Sequence, residues 1–199
     1  MAGRRSRETL AERQERRAAV DDPEVVLEAA ARFLEARSRS VAEVRRRLGR
    51  AGYRPELVEG AIARLTELGM LDDEAFGRAW VESRDRARPR GEIALRRELA
   101  LKGVDRAMVD ELLAERRDGA PTAADDGEAV SVDLAAARRL LARNERALGR
   151  VADPRVRRQR AYALLARNGF DPDTCRQASG ELVERSADIE GDTRATDVD

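Results

Sequence analysis

Histidine is absent from this 199-residue chain, and it contains a single cysteine, Cys175. Histidine is the usual general base near neutral pH and the commonest metal ligand, so its absence argues against most catalytic and metal sites. A single cysteine excludes an internal disulfide and the zinc sites that need several cysteines. Aromatic residues form 3% of the chain, too few for a surface that stacks nucleic-acid bases. We therefore predict a protein that is not an enzyme, with no catalytic residue, no metal and no cofactor.

Long apolar segments are also lacking. No stretch approaches the roughly 18 apolar residues of a membrane-spanning helix. The first residues contain no apolar run of the kind that marks a secretory signal. We expect a cytoplasmic protein with no membrane partner.

Charge is plentiful but unevenly distributed. The 39 basic and 39 acidic residues cancel, and all but one of the basic residues, Lys102, are arginine. Residues 118–133 hold five acids and no base, and residues 186–199 hold five acids and one arginine. Residues 134–185 between them hold 12 bases and six acids. Two acidic segments therefore flank the most basic part of the chain.

A repeated segment organises the chain. Alanine, leucine, arginine and glutamate dominate, which favours helix throughout. The segment 39–52 recurs at an offset of 51 residues as 90–103, and a third copy follows at a further offset of 66. The matching positions are Val44, Leu95 and Ala161; Leu48, Leu99 and Leu165; and Gly52, Gly103 and Gly169. The second offset exceeds the first by about the length of the acidic segment after residue 117, which we interpret as a flexible insertion.

Each copy is predicted to be the second helix of a three-helix unit. The first helices are predicted near 24–37, 73–87 and 132–147, and the glycine after each second helix fits a left-handed C-cap. Pro55 and Pro172 fall near the first turns of third helices, where proline is tolerated. The predicted fold is all-α, a tandem array of three three-helix repeats in an elongated, curved, right- or left-handed solenoid-like molecule.

The boundaries follow from the repeat and from composition. The predicted segments are a basic N-terminal extension 1–20, repeat 1 at 21–70, repeat 2 at 71–117, an acidic flexible insertion 118–131, repeat 3 at 132–185 and an acidic tail 186–199. Both ends lack apolar periodicity and are predicted to be disordered or loosely helical.

Arginines on the second helices are the candidate binding residues. A solvated polar face and an electrostatic contact with a polyanion or an acidic protein surface explain them about equally well. Recurrence on equivalent helices favours the contact, because it would form a continuous basic strip. The candidates are Arg45, Arg46, Arg96, Arg97, Arg157 and Arg158.

Three other features favour structural interpretations. Phe76 and Trp80 form an i, i+4 aromatic pair, which core packing explains better than base stacking. Cys175 matches valines in the other copies and is expected to be a small buried residue. Asp72 and Asp73 at a helix start are expected to cap the helix, rather than to bind a metal.

Two motifs resemble those of the RecX family. Residues 37–40 followed by 43–52 resemble its first repeat, and the pattern Gly-x-Leu-Asp-Asp-x-x-Phe-x-x-x-Trp, ending at Trp80, resembles its second-repeat signature. The resemblance covers residues 24–117 and, through spacing, 132–184. The signature and structural positions are Gly52, Asp72, Asp73, Phe76, Trp80, Gly91, Leu99 and Gly103.

The resemblance implies a small helical, monomeric, non-enzymatic regulator of the RecA recombinase in DNA repair and the SOS response. Such a protein binds the RecA–single-stranded DNA filament and inhibits its recombinase, ATPase and coprotease activities; contact with single- or double-stranded DNA is also possible. The alternative is a direct DNA-binding protein that uses its three-helix units like helix-turn-helix modules.

Overall fold

The structure, a computed structural model, describes residues 9–118 and 131–196, with side chains through residue 185. Regular structure within these ranges is entirely helical, which confirms the all-α fold. Most of the predicted insertion lies outside the described residues. The helices are α1 (Leu10–Ala18), α2 (Pro23–Glu35), α3 (Val41–Ala51), α4 (Pro55–Glu67), α5 (Asp73–Ala87), α6 (Glu92–Lys102), α7 (Arg106–Asp118), α8 (Val132–Arg143), α9 (Glu145–Gly149), α10 (Pro154–Arg167) and α11 (Pro172–Thr196).

The first helix of the third repeat is shorter than predicted. It ends at Arg143, not near residue 147, because Asn144 leaves the helical conformation with φ −107° and ψ 8°. The Asn144 side-chain amide donates to the carbonyl oxygen of Leu140 at 2.8 Å. The short helix α9 then follows.

Parts of the two terminal segments, predicted to be disordered or loosely helical, have a helical backbone. Residues 10–18 form α1, which begins with a capping box in which Thr9 and Glu12 exchange backbone and side-chain hydrogen bonds of 3.2 and 2.7 Å. At the other end the backbone of α11 continues helically to Thr196. The capping box is a local sequence signal that identifies α1.

Helix α1 is held against the end of α3. None of its residues is buried. The Gln14 amide donates to the Arg50 carbonyl at 3.1 Å, and Arg17 Nη1 donates to the Ala51 carbonyl at 3.3 Å. These bonds satisfy carbonyl groups that a helix C-terminus leaves unpaired.

The chain divides into two compact units, 1–77 with 100–105 and 78–99 with 106–199. Residues of the second sequence repeat occur in both units. A core in the first unit comprises Val26, Ala30, Val44, Leu48, Val58, Ala61, Ile62, Leu65 and Leu71. One in the second unit comprises Leu134, Ala136, Ala137, Leu141, Leu148, Ala161, Leu165, Phe170, Cys175 and Ala178. Cys175 is fully buried, as predicted, and burial raises the pKa of its thiol.

Glycines end the middle helices α3, α6 and α10. Gly52, Gly103 and Gly169 have φ values of 98°, 81° and 80°, which confirms the predicted left-handed positions. The last two also allow close approach. A Cβ atom on Gly103 would lie 2.4 Å from the Ala42 Cβ, and one on Gly169 would lie 2.4 Å from the Ala94 Cβ. The C-terminus of one middle helix therefore lies directly against the N-terminus of the preceding one.

Hydrogen bonds join these helix ends. The Ser40 hydroxyl, at the start of α3, donates to the Lys102 carbonyl at 2.6 Å. At the start of α6, the Gly91 N–H donates to the Asn168 carbonyl at 3.1 Å. The N–H of Ile93 donates to the Gly169 carbonyl at 3.2 Å. Unpaired donors at one helix end thus meet unpaired acceptors at another.

Two aspartates reinforce the starts of middle helices. Asp73 Oδ1 accepts the Val41 N–H at 2.8 Å, and Asp133 Oδ2 accepts the Glu92 N–H at 2.9 Å. Burial raises the pKa of Asp73. Asp72 caps its own helix by accepting the N–H groups of residues 74 and 75, as predicted. Asp73 is therefore also a cap, but for a helix of the preceding repeat.

Candidate functional site: an arginine surface on α9 and α10

The arginines predicted on α3 and α6 are in part neutralised. Both Arg45 N–H groups facing Glu59 donate to its carboxylate, at 2.6 and 2.7 Å. Arg96 pairs with Glu92 at 3.0 Å and with Asp110. These hydrogen bonds to carboxylates raise the pKa of both arginines. Their charge is therefore largely balanced within the protein.

Two other candidates remain exposed. Arg46 is exposed and donates to the Leu101 carbonyl at 3.5 Å. Arg97 is exposed and has no ion-pair partner among the described residues. The continuous basic strip predicted along the three middle helices is thus interrupted by ion pairs.

Arg157 is not a surface residue. Its exposed fraction is 8%, and its Nε donates to the Val151 carbonyl at 3.0 Å. The offset of 66 places Arg157 at the position of Gly91, and the offset of 51 places Gly91 at the position of Ser40. Both equivalents lie buried at the start of a middle helix. The predicted contact through Arg157 is therefore wrong, because the register places this side chain in the interior.

We expect Arg157→Glu to lower the free energy of unfolding by about 2–4 kcal/mol. The substitution removes a hydrogen-bond donor and places a carboxylate beside a carbonyl oxygen in a buried position. Arg158→Glu, at an exposed neighbour, is the matched control and should change stability by about 0.5 kcal/mol or less. Urea unfolding measures both, and equal stability of the two variants would contradict the structural role.

The third repeat concentrates arginines without ion pairs. Residues 141–170 contain eight arginines and two acids, Glu145 and Asp153. Asp153 is engaged as the N-cap of α10, where it accepts the Arg155 N–H at 2.8 Å. The exposed arginines that have no acidic partner among the described residues are Arg146, Arg150, Arg155, Arg158, Arg160 and Arg167. We call these six the α9–α10 arginines.

This surface carries uncompensated charge. Exposed guanidinium groups with no nearby carboxylate raise the local positive potential, which attracts anions and increases their association rate. Arginine also pairs well with both phosphate and carboxylate groups. Of these six, Arg158 is one of the predicted binding residues, and Arg155 and Arg160 belong to the arginines whose recurrence supported that prediction. The net positive charge of residues 134–185 is the sequence signal for the others.

The aromatic signature separates into two environments. Phe76 is buried at 4% exposure, as predicted, and Leu99 is fully buried. Trp80 is only partly buried, and its indole N–H donates to Glu98 at 2.8 Å. Arg84 lies over the Trp80 ring at 4.4 Å from its centroid. The prediction of core packing is thus confirmed for Phe76, whereas Trp80 is only partly buried and also contacts Glu98 and Arg84.

The described residues offer neither a metal site nor a membrane-spanning helix. No three or more cysteine or acidic side chains of the described part come together in a way that suits a metal ion. No described helix combines the length and apolar character that crossing a bilayer requires.

Comparison with known proteins shows the family to which this chain belongs. The fold is that of a helical-repeat protein with a basic surface. Residues 27–65 match the family model described as RecX, first three-helix domain, and residues 72–113 match RecX, second three-helix domain. The regulatory protein RecX of Prosthecochloris aestuarii is 32% identical over 162 residues, covering 81% of this chain and 96% of that protein. The chain belongs to the RecX family of regulatory proteins.

Another relative and a solved structure support the assignment to this family and fold. The regulatory protein RecX of Chlorobium phaeobacteroides is 28% identical over 161 residues, covering 81% of this chain and 95% of that protein. The crystal structure of RecX from Lactobacillus salivarius superposes with a TM-score of 0.65 at 18% identity, covering 81% of this chain and 97% of that one. The similarity in structure confirms the fold.

Proposed function

We propose that this protein is a non-enzymatic regulator of RecA that binds the RecA–single-stranded DNA filament and inhibits its recombinase, ATPase and coprotease activities. Membership of a family of regulatory proteins supports the regulatory part. The observation that carries the binding part is the set of unpaired α9–α10 arginines. A nucleoprotein filament offers phosphates along its length, and exposed guanidinium groups that pair with no described acid suit such a polyanion.

The α9–α10 arginines are the proposed contact, and those on α3 and α6 contribute less. Arg45 and Arg96 must first lose carboxylate partners before they contact another anion. Arg160 and Arg167 pair with no acid that the structure describes, so their attraction to an external anion is not offset by such a partner.

Replacing Arg160 and Arg167, which lie two turns apart on one face of α10, with glutamate should raise the protein concentration needed to inhibit the RecA ATPase on single-stranded DNA by at least about tenfold. Two charge reversals at a phosphate-facing surface remove two attractions and add two repulsions, each worth about 1 kcal/mol or less when exposed. A titration of the protein into the ATPase assay measures the effect.

The control is the double variant Arg32→Glu and Arg64→Glu. It makes the same change in net charge at exposed arginines that already pair with Glu28 and Glu67. Equal loss of inhibition in both double variants would show that net charge alone matters and would refute a site on α10.

Direct DNA binding is the second candidate, because the same unpaired arginines suit free phosphates. A gel-shift assay with single-stranded and duplex DNA, with and without RecA, separates the two. Tight, salt-sensitive binding to naked DNA that RecA does not strengthen favours this alternative.

A further inference from the structure

Two arginines in the first compact unit lie against one aromatic ring. The Cζ atoms of Arg39 and Arg47 are 4.3 and 5.7 Å from the ring centroid of Phe33. Both distances are within the range of cation–π attraction. We call Phe33, Arg39 and Arg47 the Phe33 cluster.

The Phe33 cluster has no acid of its own. Neither arginine forms an ion pair with a residue that the structure describes, and the buried Nε of Arg39 has no hydrogen-bond acceptor. The nearby Glu43 is already held by Lys102 at 2.9 Å and by Arg37 at 3.1 Å. Two like charges and an unsatisfied buried donor are costly unless an anion joins them.

The second repeat shows which group fits such a place. The offset of 47 between the first helices matches Phe33 to Trp80, and the offset of 51 matches Arg39 to Arg90 and Arg47 to Glu98. The cationic member of the first repeat, Arg47, is thus replaced by a carboxylate in the second.

In that equivalent cluster Glu98 contacts Trp80, Arg84 and Arg90. One carboxylate oxygen accepts the Trp80 indole N–H at 2.8 Å and the Arg84 Nε–H at 2.6 Å. The other oxygen lies 3.5 Å from Arg90 Nε, which is an ion-pair contact and leaves that Nε–H, like that of Arg39, without a hydrogen-bond acceptor. The second repeat therefore contains, within its own chain, the carboxylate that the first repeat lacks.

We propose that the Phe33 cluster binds a carboxylate side chain from an acidic segment of a partner protein. The guanidinium of Arg39 lies over an aromatic ring, as that of Arg84 does beside Glu98, and its Nε–H has no acceptor within the protein, so Arg39 can donate to a carboxylate as Arg84 does. A carboxylate is preferred to a phosphate because a carboxylate occupies the equivalent cluster. This site goes beyond the proposed function, since it lies on α2 and α3 and uses none of the α9–α10 arginines.

Arginine side-chain NMR of the full-length protein tests the proposal directly. An acetylated hexaglutamate peptide is titrated into protein labelled with nitrogen-15, and the Arg39 Nε–H signal is followed after its assignment with Arg39→Lys. The signal should shift with the peptide. In Arg47→Glu the apparent affinity should fall by at least about tenfold, because an internal carboxylate then competes for Arg39.

Arg50→Glu is the matched control. Arg50 is exposed on the same helix, and its replacement by glutamate changes the net charge by the same amount as Arg47→Glu. The affinity of Arg50→Glu for the peptide should stay within about twofold of that of the wild type. The proposal is overturned by an Arg39 signal that does not respond to the peptide, or by an equal loss of affinity in both variants. A stronger response to a twelve-residue oligothymidylate than to the peptide would also overturn it and would indicate a phosphate site.

Thermal unfolding gives a second, independent readout. If a glutamate at position 47 can act as Glu98 does in the second repeat, Arg47→Glu should raise the melting temperature by about 2 °C, because it supplies an anion to Arg39. A lower melting temperature would show that the two clusters are not equivalent. Neither measurement involves RecA or α10, so failure here leaves the proposed function to its own test.

Discussion

Gly91→Ala is expected to lower the free energy of unfolding by about 3 kcal/mol or more. A Cβ atom at this position would lie 2.2 Å from the carbonyl oxygen of Gly169 and 2.4 Å from the N of Phe170. Both atoms belong to the backbone, so no side-chain rotation relieves the clash. The shift would also weaken the hydrogen bonds of 3.1 and 3.2 Å that join α6 to the end of α10.

Gly60→Ala is the control for this prediction. Gly60 lies inside α4, is exposed, and has no atom within 4 Å of the added Cβ. Its replacement should stabilise the protein by about 0.5–1 kcal/mol, because alanine is the better helix former. Urea unfolding of both variants provides the comparison, and a mild effect of Gly91→Ala would mean that the two helix ends separate easily.

Arg116→Met is expected to cost about 3 kcal/mol. The Arg116 side chain is 5% exposed and joins three helices of the second compact unit. Its Nε and Nη2 donate to Asp85 at 2.9 Å each, and its Nη1 donates to Asp133 at 2.6 Å. Removing the cation leaves two carboxylates partly desolvated and near each other, which costs more than the lost attraction alone.

The corresponding control is Arg176→Ala. Arg176 pairs with Asp173 on the same helix, but both side chains are largely exposed. Such a pair contributes about 0–1 kcal/mol. A melting temperature lowered by several degrees in Arg116→Met and almost unchanged in Arg176→Ala is the expected result. Similar melting temperatures for the two variants would show that Arg116 contributes no more to stability than an exposed ion pair does.

The sequence predicted the parts of this protein that depend on local pattern. Apolar positions and the glycines at 52, 103 and 169 recur at fixed offsets, so helices and their left-handed ends follow from spacing and backbone sterics. Pro55 and Pro172 begin α4 and α11, as predicted. These features need no knowledge of how distant residues meet.

The candidate site was less predictable, because burial and pairing depend on tertiary contacts. Arg45 and Arg158 look alike in sequence, yet Glu59 neutralises the first and no described acid pairs with the second. Arg157 differs from Arg158 only in its register along α10. A comparison position by position with Ser40 and Gly91 would have indicated its burial, whereas a count of arginines on each helix could not.

Helix α1 has a consequence for association between molecules. It covers the carbonyl end of α3 with the side chains of Gln14 and Arg17, at the place where α6 and α10 each receive the start of another middle helix. An uncovered end would offer a second copy of the chain the same acceptors, and head-to-tail addition of copies has no built-in limit. By occupying that end, α1 uses the two carbonyl acceptors that such an addition would need.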